Sequence, residues 1–175
     1  MEAASQEKHE YLDGSVYLMA GGTARHSLIA MNVAATIRPH LRGGACLLYS
    51  SDLRVRPDDG AYFYPDLVVV CGRTPSDAAL ETEHPTLVVE VLSPSTRSID
   101  RLIKFRRYRN AASLREYMLV DTNEQAVDVY RLEGGQWIVD AYRPPMAVSL
   151  ESIGMTLDFP TIYEDVRWDI PTEQE

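Results

Sequence analysis

Two short runs of apolar, mostly β-branched residues predict the centre of the fold. The runs "DLVVVCG" (66–72) and "TLVVEVLS" (86–93) show almost no alternation of apolar and polar positions. Strands of this kind are covered on both faces, as in the middle of a sheet that other elements flank. We therefore expect 66–72 and 86–93 to form central strands, which could lie next to each other.

Shorter segments with turn residues between them predict further strands and hairpins. These are a pair within 10–19 around Asp13-Gly14, one strand over 45–57 that is bent near Asp52, a strand over 116–121, a hairpin around Gly134-Gly135, and a short pair over 148–157.

Two segments have apolar residues at helical spacing. The first, over 24–44, is expected to end at Gly43 and Gly44, with its last turn broken by Pro39. The second follows Pro94, which stops the preceding strand, and Ser95 or Thr96 could cap it. Its apolar positions, Ile99, Leu102 and Ile103, are expected to point toward the core.

The order of strands, helix, strands, helix and strands predicts an α/β or α+β fold, with a few helices packed on a sheet. At 175 residues the chain is expected to be one domain, over 1–175, with a loose tail from 166 to 175. No apolar run is long enough for a membrane helix and the first residues are polar, so we expect a cytoplasmic protein without a membrane partner. Cys46 and Cys71 lie in apolar runs and are expected to be reduced core thiols.

The net charge of −9 argues against broad, non-specific binding of nucleic acids. One segment departs from this balance, because 97–109 holds six basic residues and a single acid, Asp100. On a helix, Arg97, Arg101, Lys104 and Tyr108 fall on one stripe. Such a stripe could meet a phosphate backbone, or it could pair with the protein's own acids.

Two acids stand at the predicted central strands. Asp66 opens the first strand, and Glu90 lies among valines and leucines near the end of the second. A buried carboxylate is costly unless it is paired or bound to a cation, so each acid predicts either a buried arginine partner or a metal. Two carboxylates without soft ligands favour Mg²⁺ or Mn²⁺, which can activate water for phosphodiester hydrolysis. Lys104 is the one lysine after residue 9, and it could supply a cation to such a site from the following helix.

The blocks "YPDLVVV", "LVVEVLSPST", "SIDRLIKFRRY" and "LREYMLVD", in this order, resemble the Uma family of restriction endonuclease-like proteins. That family, formerly a domain of unknown function, is placed in the PD-(D/E)XK nuclease superfamily. The resemblance covers about residues 8–165. It implies a restriction-endonuclease-like core, with a mixed central β-sheet flanked by helices and a metal site at one edge.

The resemblance also implies roles for particular residues. Asp66 and Glu90 match the family's metal-binding acids, and Lys104 matches its catalytic lysine, moved from the strand to the helix. Glu10 could add a metal contact, and Asp100 could orient Lys104 by an ion pair. His26 matches a family position at a helix start and could be structural or touch substrate.

These inferences predict an endonuclease that uses Mg²⁺ or Mn²⁺ to hydrolyse DNA, with Arg97, Arg101 and Tyr108 as nucleic-acid contacts. A homodimer is expected, since two sites could then address two strands. Two alternatives stay open: a catalytically silent module that binds nucleic acid or a protein, and a nuclease that acts on RNA.

Overall fold

The computed structural model describes residues 8–18, 21–93, 97 and 99–168. Within these ranges the strands are β1 (His9–Leu12), β2 (Ser15–Leu18), β3 (Cys46–Ser50), β4 (Arg54–Asp58), β5 (Ala61–Phe63), β6 (Leu67–Cys71), β7 (Glu81–Thr82), β8 (Leu87–Leu92), β9 (Glu116–Asp121), β10 (Val127–Glu133), β11 (Gln136–Tyr142), β12 (Val148–Leu150) and β13 (Met155–Leu157). The helices are α1 (Ala24–His40), a π-helix (Ile99–Lys104), α2 (Phe105–Tyr108), a short 3₁₀-helix (Glu151–Ile153) and α3 (Phe159–Ile162).

The main sheet has six strands in the order β11-β10-β9-β8-β6-β3. Strands β8 and β9 run parallel, whereas the other neighbours in this sheet are antiparallel. The predicted class is therefore confirmed: a mixed sheet with few helices and additional β-hairpins. The two apolar runs form adjacent strands, β6 and β8, inside this sheet as predicted.

Two apolar clusters cover the two faces of the main sheet. Side chains of β8 alternate between them, because successive residues of a strand point to opposite faces. Val89 and Val91 join the cluster that contains the buried stripe of α1, whereas Val88 and Leu92 join the cluster that contains Tyr108. Glu90 stands between Val88 and Leu92 in the strand, so its side chain points toward the second cluster.

A second sheet, in the order β2-β1-β5-β4-β7, carries the N-terminal hairpin. The predicted single strand over 45–57 is wrong: β3 belongs to the main sheet and β4 to the second one. The chain turns between them, where the Leu53 amide donates to the Ser50 carbonyl at 3.1 Å. Leu53 is buried in the second cluster.

Helix α1 begins at a Thr23 cap, whose side chain accepts a hydrogen bond from the His26 amide at 3.2 Å. The expected break at Pro39 does not occur. The helix continues to His40, and the Leu41 amide still donates to the Ile37 carbonyl at 3.2 Å. Pro39 is the second-last residue of the helix, so its missing amide donor and its ring disturb only the final turn.

The second helical segment has the opposite orientation to the one predicted. Ile99, Leu102 and Ile103 are 40%, 65% and 42% exposed, whereas Asp100 and Lys104 are buried. The apolar residues were expected inside because hydrophobic spacing normally marks the core face. Here the polar residues face inward, since Lys104 pairs with buried carboxylates. The predicted start of this helix, at Pro94, Ser95 and Thr96, lies outside the described residues.

The prediction of reduced thiols is also wrong for this structure, because Cys46 and Cys71 form a disulfide. They stand opposite each other in the β3–β6 pair, with Cα atoms 4.0 Å apart. Strand register brings them together, and register is not visible in the spacing of two cysteines.

The tail was expected to be loose from residue 166, but its first residues are packed. Val166 and Trp168 pack against the first cluster, and the Trp168 ring lies 5.3 Å from that of Tyr163. Residues 169–175 lie outside the described ranges. None of the described helices has the length and apolarity that crossing a membrane requires.

Candidate functional site

Asp66 and Glu90 stand at the end of the β6–β8 pair. In this antiparallel pair Leu67 lies opposite Val89, so the same register continued by one residue sets Asp66 opposite Glu90. The Oδ2 atom of Asp66 accepts a hydrogen bond from the Val91 amide at 2.7 Å. The backbone of the Glu90 strand therefore holds Asp66 in place.

Glu90 is a buried carboxylate with two donors on one oxygen. Its side chain is 5% exposed. Lys104 Nζ and the Tyr108 hydroxyl both donate to Oε1, at 3.2 and 3.3 Å. Burial raises the pKa of Glu90 well above its ordinary value; Lys104 opposes that shift, and Asp100, Asp66 and Glu10 add to it.

Lys104 lies among three carboxylates. Its Nζ is 2.9 Å from Glu10 Oε1 and 3.2 Å from both Glu90 Oε1 and Asp100 Oδ1. Burial alone would lower the pKa of Lys104, but these carboxylates raise it above its ordinary value. The surrounding carboxylates thus favour the ammonium form of Lys104, which can stabilise negative charge.

Glu10 reaches the site from β1 of the second sheet. Its Oε1 accepts a hydrogen bond from the Tyr64 amide at 3.2 Å and contacts Lys104. The predicted additional acid therefore joins the same cluster as Glu90.

Asp100 lies one helical turn before Lys104 and pairs with it, as predicted. Its backbone carbonyl accepts a hydrogen bond from the Tyr117 hydroxyl at 2.9 Å, which anchors the π-helix to β9. The wide π turn places both Asp100 and Lys104 on the inward face.

His26 contacts the site through Asp66. Its Nε2 lies 3.2 Å from Asp66 Oδ2, and this hydrogen bond raises the pKa of His26 against the opposing effect of burial. Because Thr23 caps α1 three residues earlier, the first turn of the helix fixes where the imidazole lies. The structure thus places His26 as a support for Asp66.

This contact predicts a measurable titration. In the metal-free protein, the NMR titration midpoint of His26 should lie above that of an unperturbed histidine, and Asp66→Asn should lower it. Proton shifts of the imidazole in EDTA provide the measurement. An unchanged midpoint in Asp66→Asn would show that the carboxylate does not bind the protonated ring.

The three predicted nucleic-acid contacts have other partners. Arg97 makes a double contact with Asp121, at 2.6 and 2.7 Å, and Arg101 pairs with Asp128. Tyr108 is fully buried, so its assignment as a nucleic-acid contact is wrong. Its hydroxyl binds Glu90 instead, a role that sequence reasoning missed, although Tyr108 is four residues after Lys104 on the same buried face.

The donor set fits a hard divalent cation. Four carboxylates (Glu10, Asp66, Glu90 and Asp100) face Lys104 and His26, so the cluster carries excess negative charge. Within the described ranges, no group of three acidic, histidine or cysteine side chains is arranged to hold a metal. In this cluster the Lys104 ammonium lies among the carboxylates. In each of Glu10, Asp66 and Glu90, the contacts described above involve only one of the two carboxylate oxygens. Ligands that are all oxygen atoms suit Mg²⁺ or Mn²⁺.

Comparison with known proteins identifies the family. Residues 1–160 match the family model Uma2, described as "Putative restriction endonuclease". The chain belongs to the Uma2 family. Among curated relatives, the "Uncharacterized protein slr1290" of Synechocystis sp. is 37% identical over 169 residues, which are 95% of this chain and 89% of the relative. A second Synechocystis protein, sll1609, also described as uncharacterized, is 29% identical over 79% of this chain and 80% of its own length.

A solved structure shares the fold. The crystal structure of a "putative nuclease belonging to DUF820" from Anabaena variabilis matches with a TM-score of 0.73, covering 91% of each chain. The identity is 19%, so this likeness shows the fold alone. The family match supports a nuclease.

Proposed function

We propose that this Uma2 protein is an Mg²⁺-dependent endonuclease that hydrolyses phosphodiester bonds in DNA. The observation that carries the proposal is the pairing of Lys104 with Glu90, directly beside Asp66. An ammonium ion and several carboxylates come together there, a combination that suits metal-assisted phosphodiester hydrolysis.

Asp66 and Glu90 would hold the metal, with Glu10 as a further ligand. When bound, the ion lowers the pKa of a water molecule and neutralises charge on the phosphate. The protein's own residues supply the rest. Val91 and His26 fix Asp66, Tyr108 fixes Glu90, and Lys104 presents its positive charge to the phosphate as negative charge builds up during attack.

A supercoiled plasmid tests this function directly. We expect nicked and linear products with Mg²⁺ or Mn²⁺ and none with EDTA, and single-stranded DNA and RNA of matched length should be run in parallel. Cleavage of RNA alone would support the proposed chemistry on a different substrate. A protein inert on all three nucleic acids with both metals would contradict the proposal and favour a silent nucleic-acid- or protein-binding module.

We also propose a homodimer, which would bring two sites to the two strands of a duplex. We further propose a cytoplasmic location. Disulfides are rare in the cytoplasm. In that compartment, Cys46 and Cys71 would therefore be reduced.

A further inference from the structure

Strand β2 stands at the edge of the second sheet, with exposed side chains on both faces. Val16, Tyr17 and Leu18 are 50%, 51% and 61% exposed. Successive residues alternate, so Val16 and Leu18 share one face and Tyr17 points to the other.

Register places Tyr17 beside the candidate site. Tyr17 is the direct partner of Glu10 in the antiparallel β1–β2 pair. Direct partners point to the same face, with Cβ atoms about 4.5–5.5 Å apart. The Glu10 carboxylate lies 2.9 Å from Lys104 Nζ, so the register puts Tyr17 on the face of the hairpin that carries the carboxylate–lysine cluster.

The two tyrosines of this hairpin, Tyr11 and Tyr17, differ in their aromatic contacts. Tyr11 stacks on Tyr62, with ring centroids 5.4 Å apart. Among the described residues, the Tyr17 ring makes no such aromatic contact. An aromatic face is therefore left open to solvent next to a site that is suited to phosphodiesters.

We propose that the Tyr17 ring stacks on an unpaired nucleobase of the nucleic acid held at this site. The inference rests on the proposed function and adds a substrate contact to it. Aromatic rings next to a site that binds the nucleic-acid backbone commonly stack on bases, and such stacking tolerates any base. A protein partner would fit the other face of β2 better, because Val16 and Leu18 are adjacent there, whereas Tyr17 stands as a single ring on the site face.

Steady-state cleavage of a fluorescein-labelled oligothymidylate in Mg²⁺ tests the contact. Tyr17→Ala should raise KM about tenfold or more, the range expected for one stacked base, and should change kcat less than about twofold. Tyr17→Phe keeps the ring and should restore the wild-type KM. Val16→Ala, on the same exposed strand but the opposite face, is the matched control and should behave like wild type.

The outcomes separate this inference from the proposed function. Wild-type cleavage with an unchanged KM in Tyr17→Ala would overturn the stacking contact and leave the nuclease in place. So would a Tyr17→Phe variant as impaired as Tyr17→Ala, or a Tyr17→Ala variant whose defect follows a change of oligomeric state in size-exclusion chromatography. A wild-type protein that cleaves plasmid but does not bind the oligonucleotide would also overturn it. Failure of the wild type on every substrate would contradict both.

Discussion

Asp66→Asn and Glu90→Gln should each lower the rate of DNA cleavage by at least about 100-fold. Loss of groups that merely orient metal ligands commonly costs about 10–100-fold in metal affinity or activity, and these two carboxylates are the proposed ligands themselves. Both substitutions keep the size of the side chain and remove its charge. The measurement is the initial rate of plasmid nicking at saturating Mg²⁺.

Lys104→Met should lower kcat by about 10²–10³-fold, the usual cost of removing one group that stabilises charge in a transition state. Glu133→Gln is a matched control for the acids, because Glu133 is an exposed residue at the end of β10. It should cleave like wild type. Activity near the wild-type level in Asp66→Asn, Glu90→Gln and Lys104→Met would overturn the site assignment.

The same lysine should dominate the stability of the metal-free protein. Lys104 is the ammonium ion among Glu10, Glu90 and Asp100, and its side chain is only 7% exposed. Removing one partner from a buried ion cluster leaves uncompensated charge, which costs about 3–5 kcal/mol. We therefore expect Lys104→Met to lower the free energy of unfolding by this amount in EDTA.

Urea denaturation with and without Mg²⁺ measures this effect. Mg²⁺ should recover part of the loss, because a ligand that binds only the folded state stabilises it. Lys8→Met is the matched control, since Lys8 forms an exposed ion pair with Asp52 and such pairs contribute at most about 1 kcal/mol. If Lys104→Met were as stable as Lys8→Met, the buried carboxylates would not need the ammonium ion for the stability of the fold.

The sequence predicted the features that depend on local composition. The apolar runs of β6 and β8 identified the central strands, since few other environments accept so many consecutive valines. Burying the Glu90 carboxylate within such a run costs free energy, which pointed to a charged partner. Lys104, in the helical segment that follows, is the one lysine after residue 9. The structure brings these two residues into contact.

The errors came from features that depend on distant pairing. Ile99, Leu102 and Ile103 have helical spacing, but the inward face belongs to Asp100 and Lys104 because their partners lie on other strands. Arg97 and Arg101 stay predicted nucleic-acid contacts, but the sequence did not show that they pair with the strand residues Asp121 and Asp128. In the same way, the Cys46–Cys71 pair and the position of Tyr17 opposite Glu10 follow from strand register, which a single sequence does not reveal.

Metal binding tests the central claim most directly, namely that Asp66 and Glu90 together hold a divalent cation. Isothermal titration with Mn²⁺ should show a binding site in the wild-type protein and in Glu133→Gln. In Asp66→Asn and Glu90→Gln that site should be lost or at least about tenfold weaker. A wild-type protein that binds no Mn²⁺, or two variants that bind it as tightly as wild type, would contradict the claim.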